Sequence, residues 1–214
     1  MAKYDDPRIL RAIAHPARNR ILSELQACGP LRAADVARTL DIPANQASFH
    51  LRQLAKYGLV EEAPEEARDK RDRVWRMTDD DITISGSAVR AQPGGKAAFA
   101  VYQQSARAWG HLLVDHAHGE HVEGQEVVQM EGALRLHPDE LVEFTAELNA
   151  LDQRWRERTR GHDDGRRTYS VYQLIQPQPA LSELGETAAA DATEENVRVI
   201  GFGARPDELD EARD

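Results

Sequence analysis

A chain of 214 residues, 41% apolar and 30% charged, can build one large domain or two small ones. No stretch approaches the roughly 18 consecutive apolar residues that span a bilayer, so no membrane partner is expected. The net charge of −10 is unevenly spread: residues 1–80 hold 14 Lys/Arg against 13 Asp/Glu, and residues 81–214 hold 13 against 24. That balance excludes a nonspecific nucleic-acid coat for the whole chain while leaving the N-terminal part open to phosphate contact. The lone Cys28 excludes an intramolecular disulfide framework and fits a reducing, cytoplasmic setting.

Asp6-Pro7 opens a first predicted helix that runs to about Ala14, and His15-Pro16 restarts it, since proline suits a first helical turn. The segment Pro16–Ala27 carries Ile21, Leu22 and Leu25 at helical spacing and stops at Gly29-Pro30. Leu31 reads as a strand stub. Ala33–Leu40 follows, with Ala34, Val36, Ala37 and Leu40 as its inner face and Asp35 in the first turn, where the helix dipole favours an anion. Arg32 stands where Ser or Thr would cap, which predicts a poorly capped start. After the tight Asp41-Ile42 turn, Pro43–Tyr57 places Ala47, Leu51 and Leu54 inward at i, i+4, i+7. The opposite face then shows Asn45, Gln46, Phe49, His50, Gln53 and Lys56. Gly58 ends this helix, and the runs Leu59–Ala63 and Arg73–Met77 flank a charged loop, Pro64–Asp72. Two helices across a tight turn and then a hairpin form the pattern of a winged helix-turn-helix, which offers a helix to the major groove and a hairpin to the neighbouring backbone.

Beyond Thr78, the composition of residues 81–95 predicts a linker. A long helix is expected over Lys96–Ala117, with Phe99, Tyr102, Ala106, Trp109 and Leu113 spaced 3, 4, 3, 4. That seam serves either a dimer interface, through Phe99, Tyr102, Trp109 and Leu113, or an internal core. Glu126–Leu136 looks strand-like, and His137-Pro138-Asp139 starts a second long helix reaching about Arg160. Its Leu141, Phe144, Leu148, Leu151 and Trp155 repeat the spacing and are expected to pack internally. Tyr169–Ile175 and Val197–Phe202 read as strands, Gln176–Asn196 as loop, and residues 204–214 as an acidic disordered tail. The fold class is therefore mainly α with small β elements: a winged helix-turn-helix over 1–80, then an α+β dimerisation or sensing region over 96–203.

Two motifs resemble those of ArsR-type winged-helix repressors. One is Ala14-His15-Pro16-Ala17-Arg18-Asn19-Arg20-Ile21-Leu22, and the other is Ala47-Ser48-Phe49-His50-Leu51-Arg52-Gln53-Leu54, followed by Tyr57-Gly58-Leu59-Val60. The resemblance covers about the first 80 residues. It implies a dimeric repressor on a double-stranded operator, with Asn45, Gln46, Ser48, Phe49, His50 and Gln53 at base edges or phosphates. It further implies Arg52 and Lys56 on the backbone, with Arg68, Lys70, Arg71 and Arg73 acting from the wing. Glutamine side chains can bond adenine bidentately, and the Phe49 ring either meets a thymine methyl or tucks against the wing. Glu61, Glu62, Glu65 and Glu66 weaken the wing's attraction for phosphate.

The Cys-x-Cys metal pair of the best-known members is missing from Ala34-Asp35-Val36-Ala37-Arg38. No cofactor is required on this reading. Zinc or nickel remains open through His111, Asp115, His118 and His121, a cluster that ends at Glu123; the alternative is a solvated, His-rich helix end. Cys28 reads as a small buried residue. Trp109, Trp155, Tyr169 and Tyr172 either line a pocket for a small-molecule effector or pack in a core. Nothing resembles a nucleophile–base pair, and Gly94-Gly95-Lys96 lacks the earlier glycine and following Ser/Thr of a phosphate loop, so an enzyme is not expected. A winged helix used for protein contact is the remaining alternative.

Overall fold

The computed structural model describes residues 2–3, 6–67, 72–79, 82–119, 126–162, 164–178 and 199–200. The chain divides into two compact units, residues 1–109 with 141–170, and residues 110–140 with 171–214. It is mainly helical with a small antiparallel sheet.

The first unit opens with a short strand β1 (Ala2–Lys3), then α1 (Pro7–Ile13) and α2 (Pro16–Cys28). The Asp6 carboxylate accepts from the Arg8 backbone N–H at 2.8 Å and starts α1; Pro16 keeps His15 out of the helical region and separates the two helices. Gly29, at φ 87°, ends α2. Strand β2 (Leu31–Arg32) leads into α3 (Ala33–Leu40) and α4 (Ala44–Lys56), and β3 (Val60–Glu62) and β4 (Val74–Met77) close the wing. The sheet order is β2-β4-β3, antiparallel throughout, with Leu31 opposite Trp75 and Val60 opposite Met77. One core joins these elements: Ile21 and Leu25 of α2, Val36 of α3, Ala47, Leu51 and Leu54 of α4, and Trp75 of the wing. The expected inner face of α3 differs at one place. Ala34 is exposed, and Ala33 packs against the core instead.

Residues 81–95 are not a simple linker. Strand β5 (Ile82–Thr83) pairs in parallel with β1, and α5 (Gly86–Ala91) follows, capped by the Ser85 hydroxyl accepting from the Ala88 N–H. Val89 is fully buried with Leu10 and Ala98 in a second core cluster, against which Phe99 and Tyr102 pack. The glycines there serve close approach. A Cβ at Gly95 would lie 1.7 Å from the Val89 carbonyl oxygen, and one at Gly86 would lie 2.9 Å from the Phe99 ring. Helix α6 (Gly95–Ala117) is then held to α1 by the Ser105 hydroxyl donating to the Ala14 carbonyl at 2.7 Å.

Helix α7 (Pro138–Thr159) holds no buried residue. Of its apolar stripe, expected inside, Phe144 and Leu148 are half-buried, while Leu141, Leu151 and Trp155 are exposed at 39%, 41% and 51%. Periodicity requires such a stripe to be covered but does not say by what. Just past the helix, Arg160 lies along Gly29 and donates to the Gln26 carbonyl at 3.2 Å, and the Thr168 hydroxyl donates to Glu24 at 2.8 Å. Arg20 completes the pairing of this buried carboxylate at 2.8 Å.

In the second unit, the strand expected over Glu126–Leu136 shrinks to β6 (Gln129–Met130), paired in parallel with β7 (Val199–Ile200). Val128, Met130 and Leu134 are exposed, so that run lacks the buried face that would support a longer strand. Residues 169–175 form no strand. The expected tail and most of the Gln176–Asn196 loop lie outside the described residues, as do the ends of the last predicted strand.

Gly95→Ala should therefore cost about 3 kcal/mol or more, because the Val89 carbonyl cannot yield without breaking the α5–α6 corner. Gly58→Ala should cost only about 1 kcal/mol, the penalty of its φ of 67°, since a Cβ there meets nothing within 4 Å. Urea unfolding midpoints of the two variants test the contrast.

Candidate nucleic-acid interface

As expected, Arg32 supplies no side-chain cap to α3; Asp35, inside the first turn, ties the helix start together instead. Asp35 accepts from the Arg32 backbone N–H at 3.3 Å and from its guanidinium at 2.8 and 3.0 Å, with Arg38 adding a contact at 3.0 Å. The Arg32 guanidinium beside it holds the Asp35 carboxyl below the usual carboxylate range. The turn to α4 passes through Asp41 at φ 52° and ψ 50°, a left-handed conformation that Asp tolerates better than most residues. The Ile42 N–H bonds back to Ala37 at 3.0 Å, and Pro43 fixes the entry into α4.

The orientation of α4 follows from its buried stripe. Asn45, Gln46, Phe49, Arg52 and Lys56 are exposed, and Ser48 and Gln53 half-buried, so seven of the eight expected contact residues on this helix reach solvent. Phe49 is 51% exposed and does not tuck into the wing side of the core. Arg52 and Lys56 are the charged residues of α4, which contains no Asp or Glu.

His50 is the exception. It is only 9% exposed, because three residues past Ala47 and one before Leu51 it falls at the margin of the core stripe. Its ring packs against His15 at 4.7 Å between centroids and edge-on to Phe49 at 5.4 Å. Among the described residues its Nδ1 has no hydrogen-bond partner. Burial pushes the His50 pKa down, and His15 and Arg18 beside it act the same way; burial and Arg18 lower His15. His15 and Arg18 had no assigned role in the sequence reading, although both lie in the first motif quoted above. Their proximity to His50 comes from tertiary packing.

The wing is electrostatically self-paired. Arg76 of β4 bonds Glu61 at 2.8 Å and also reaches Glu65, Arg73 approaches Glu62 at 3.5 Å, and Arg32 reaches Asp72 at 3.4 Å. Three of the glutamates expected to oppose phosphate, Glu61, Glu62 and Glu65, thus pair with the wing's own arginines. Sequence reasoning passed over Arg76, whose role depends on the β3–β4 register that sets Glu61 opposite it. Arg68, Lys70 and Arg71 lie outside the described residues.

The other expected sites fare differently. Phe99 and Tyr102 face the chain's own core, and Arg90 stacks over Phe99 at 4.5 Å, so the first seam is internal at this end. Trp109 and Leu113 are half-buried. His111, Asp115 and His118 are exposed, and no group of three or more His, Cys, Asp or Glu able to hold a metal occurs among the described residues. His121 and Glu123 lie outside them. Cys28 is exposed rather than buried. Trp155, Tyr169 and Tyr172 stand largely in solvent, whereas a cavity of about 420 Å³ is lined by Asp6, Arg8, Arg11 and Gln92 among others. No described helix is long and apolar enough to cross a membrane.

Residues 13–63 match the profile of a helix-turn-helix domain family, covering α2 to α4 and the first wing strand. No curated protein matches the sequence. Among solved structures, a transcriptional regulator homologue from Pyrococcus horikoshii OT3 is similar at 20% identity over 48% of this chain and 88% of that one, with a TM-score of 0.30. MarR from E. coli is similar at 15% over 67% and 86% (TM-score 0.31), and ZitR from Lactococcus lactis at 15% over 69% and 88% (TM-score 0.28). The chain's winged helix-turn-helix is assigned on the domain match and on the geometry of α3, α4 and the wing.

The two histidines give a pH test. Both are held neutral in the folded state, below the 6.5 of a free imidazole, so the unfolded chain binds more protons as the pH falls. Their contribution to stability should be complete above about pH 6.5 and drain away as the pH drops through their folded values. Urea midpoints across that range should fall in the native chain and flatten in His50→Gln.

Proposed function

We propose that the chain is a DNA-binding transcriptional regulator, a dimeric repressor of the ArsR-like type, acting in the cytoplasm on a short inverted-repeat operator. The observation that carries this reading is α4: it buries one apolar stripe within a helix-turn-helix and presents amides, an aromatic ring and two cations, with no carboxylate among them. One such helix per subunit would read each half-site, with half-sites about one helical turn, roughly 34 Å, apart. The wing would lie on flanking backbone, its grip moderated by the Arg–Glu pairs of β3 and β4. An effector sensed by residues beyond α5 would alter the spacing of the two winged helices, provided it binds two states of the dimer unequally. A metal ion held around His111 is one such effector.

A second reading, a winged helix that docks on protein, is favoured by that neutralised wing. The two separate on fluorescence anisotropy with the DNA upstream of the coding region against scrambled DNA, over a salt series. The regulator reading expects preference for the native DNA and a steep salt slope. Gln46→Ala and Gln53→Ala should each lose about 1–3 kcal/mol of discrimination. Arg52→Ala and Lys56→Ala should weaken all sequences alike, each lowering the slope by about 1. Arg73→Ala should do less, since Glu62 already engages it. Weak, equal binding to both DNAs, unchanged by added zinc or nickel, would falsify the regulator reading and leave the protein-docking one.

A further inference from the structure

We infer that the exposed face of α7 is the dimer interface, and that two copies of α7 pair antiparallel about a two-fold axis at Leu148. This deepens the dimeric reading above by naming a surface for it, and it departs from the first seam, where Phe99 and Tyr102 are already engaged within the chain.

Three features of the helix point to a second copy of itself. The first is an apolar stripe of about four turns in a helix with no buried residue: Leu141, Leu151 and Trp155 are exposed, and Phe144 and Leu148 only half-buried. The second is symmetry. Leu141 and Trp155 lie seven residues either side of Leu148, and Phe144 and Leu151 lie four and three, so a reversed copy matches large to large along the whole seam. An interface of this kind must be self-complementary, with residue i meeting j and j meeting i. The third is charge. Residues 138–150 carry Asp139, Glu140, Glu143 and Glu147 with no Lys or Arg, a net of −4. Residues 151–160 carry four arginines against Asp152 and Glu157, a net of +2. Antiparallel pairing sets each acidic half beside the partner's basic half and opposes the helix dipoles; parallel pairing would stack like on like. Glu147 is the one position beside the axis where a carboxylate meets its own copy.

The test is the mass of the full chain in solution, without DNA, by sedimentation equilibrium over a concentration series. The expected species is twice 23.9 kDa, about 48 kDa. Leu148→Glu should raise the dissociation constant by roughly 30-fold or more, since it places a charge at the centre of the seam. Glu147→Gln should lower it. Orientation is read by charge reversal: Asp139→Lys with Glu140→Lys weakens the dimer, Arg154→Glu with Arg156→Glu weakens it, and the four together restore it. Circular dichroism checks helix content, and if Leu148→Glu loses helix, the reversals decide alone. A monomer at all concentrations, a dimer indifferent to a folded Leu148→Glu, or reversals that fail to restore one another would overturn the proposal. A monomer at all concentrations would also remove the dimer from the proposed function, whereas a dimer indifferent to these changes would leave that dimer standing on another surface; DNA binding itself fails or stands on anisotropy.

Discussion

The burial of a single stripe on α4 governs the candidate site. Ala47, Leu51 and Leu54 are wholly buried against Ile21, Leu25 and Val36, and their loss of solvent fixes the rotation of the helix about its axis. A helix of thirteen residues has one face to bury, and every other side chain is then assigned its direction. Gln46, Phe49 and Arg52 point outward because of that constraint, whatever they go on to touch. The turn at Asp41 sets where α4 begins, and the short sheet through Trp75 closes the remaining side of the core. The same constraint explains His50. It sits at the margin of the stripe, in contact with His15 and near Arg18, where an imidazole is favoured without its proton.

How much of this was legible in the sequence depended on whether the determining signal was local. The winged helix-turn-helix was readable almost to the residue, because proline starts, glycine stops and 3.6-residue periodicity are written within a few positions of where they act. The C-terminal stretches were less so. Residues 81–95 looked like a linker on their Gly, Ser and Pro content, yet Gly86 and Gly95 are places where another group comes too close for a Cβ. Composition cannot tell a glycine that frees a chain from one that lets two elements touch. For α7 the period was right and the internal packing inferred from it is only partial, with Phe144 and Leu148 half-buried and the rest exposed: an apolar stripe announces a partner without saying whether it belongs to the same chain.

Electrostatics divides along the same line. The acidic wing was plain in the sequence, but that Glu61 serves Arg76 depends on β-strand register, which pairs residues fifteen apart. The effect is to remove net positive potential from a surface that would otherwise attract any phosphate, leaving the cations of α4 as the less encumbered ones. A protein of net charge −10 that binds DNA at all must concentrate its attraction in this way, and a weak general attraction makes sequence readout a larger share of the total.

The attachment of α7 to the helix-turn-helix gives its exposed face a mechanical meaning. Arg160, one residue beyond α7, lies on Gly29 at the end of α2 and bonds the Gln26 carbonyl; Thr168 bonds Glu24, a buried carboxylate also met by Arg20 and Cys28 of the same helix. Breaking the Thr168 contact would leave a buried carboxylate with one donor fewer, which costs stability and so ties the segment after α7 to α2. Helix α2 in turn shares its core with α4. Pairing through α7 would therefore set the separation of two recognition helices through one short chain of packed and hydrogen-bonded elements. Any ligand that altered the α7 pairing angle would reach the DNA-facing surface by that route, and one that bound both pairings equally would leave it unmoved.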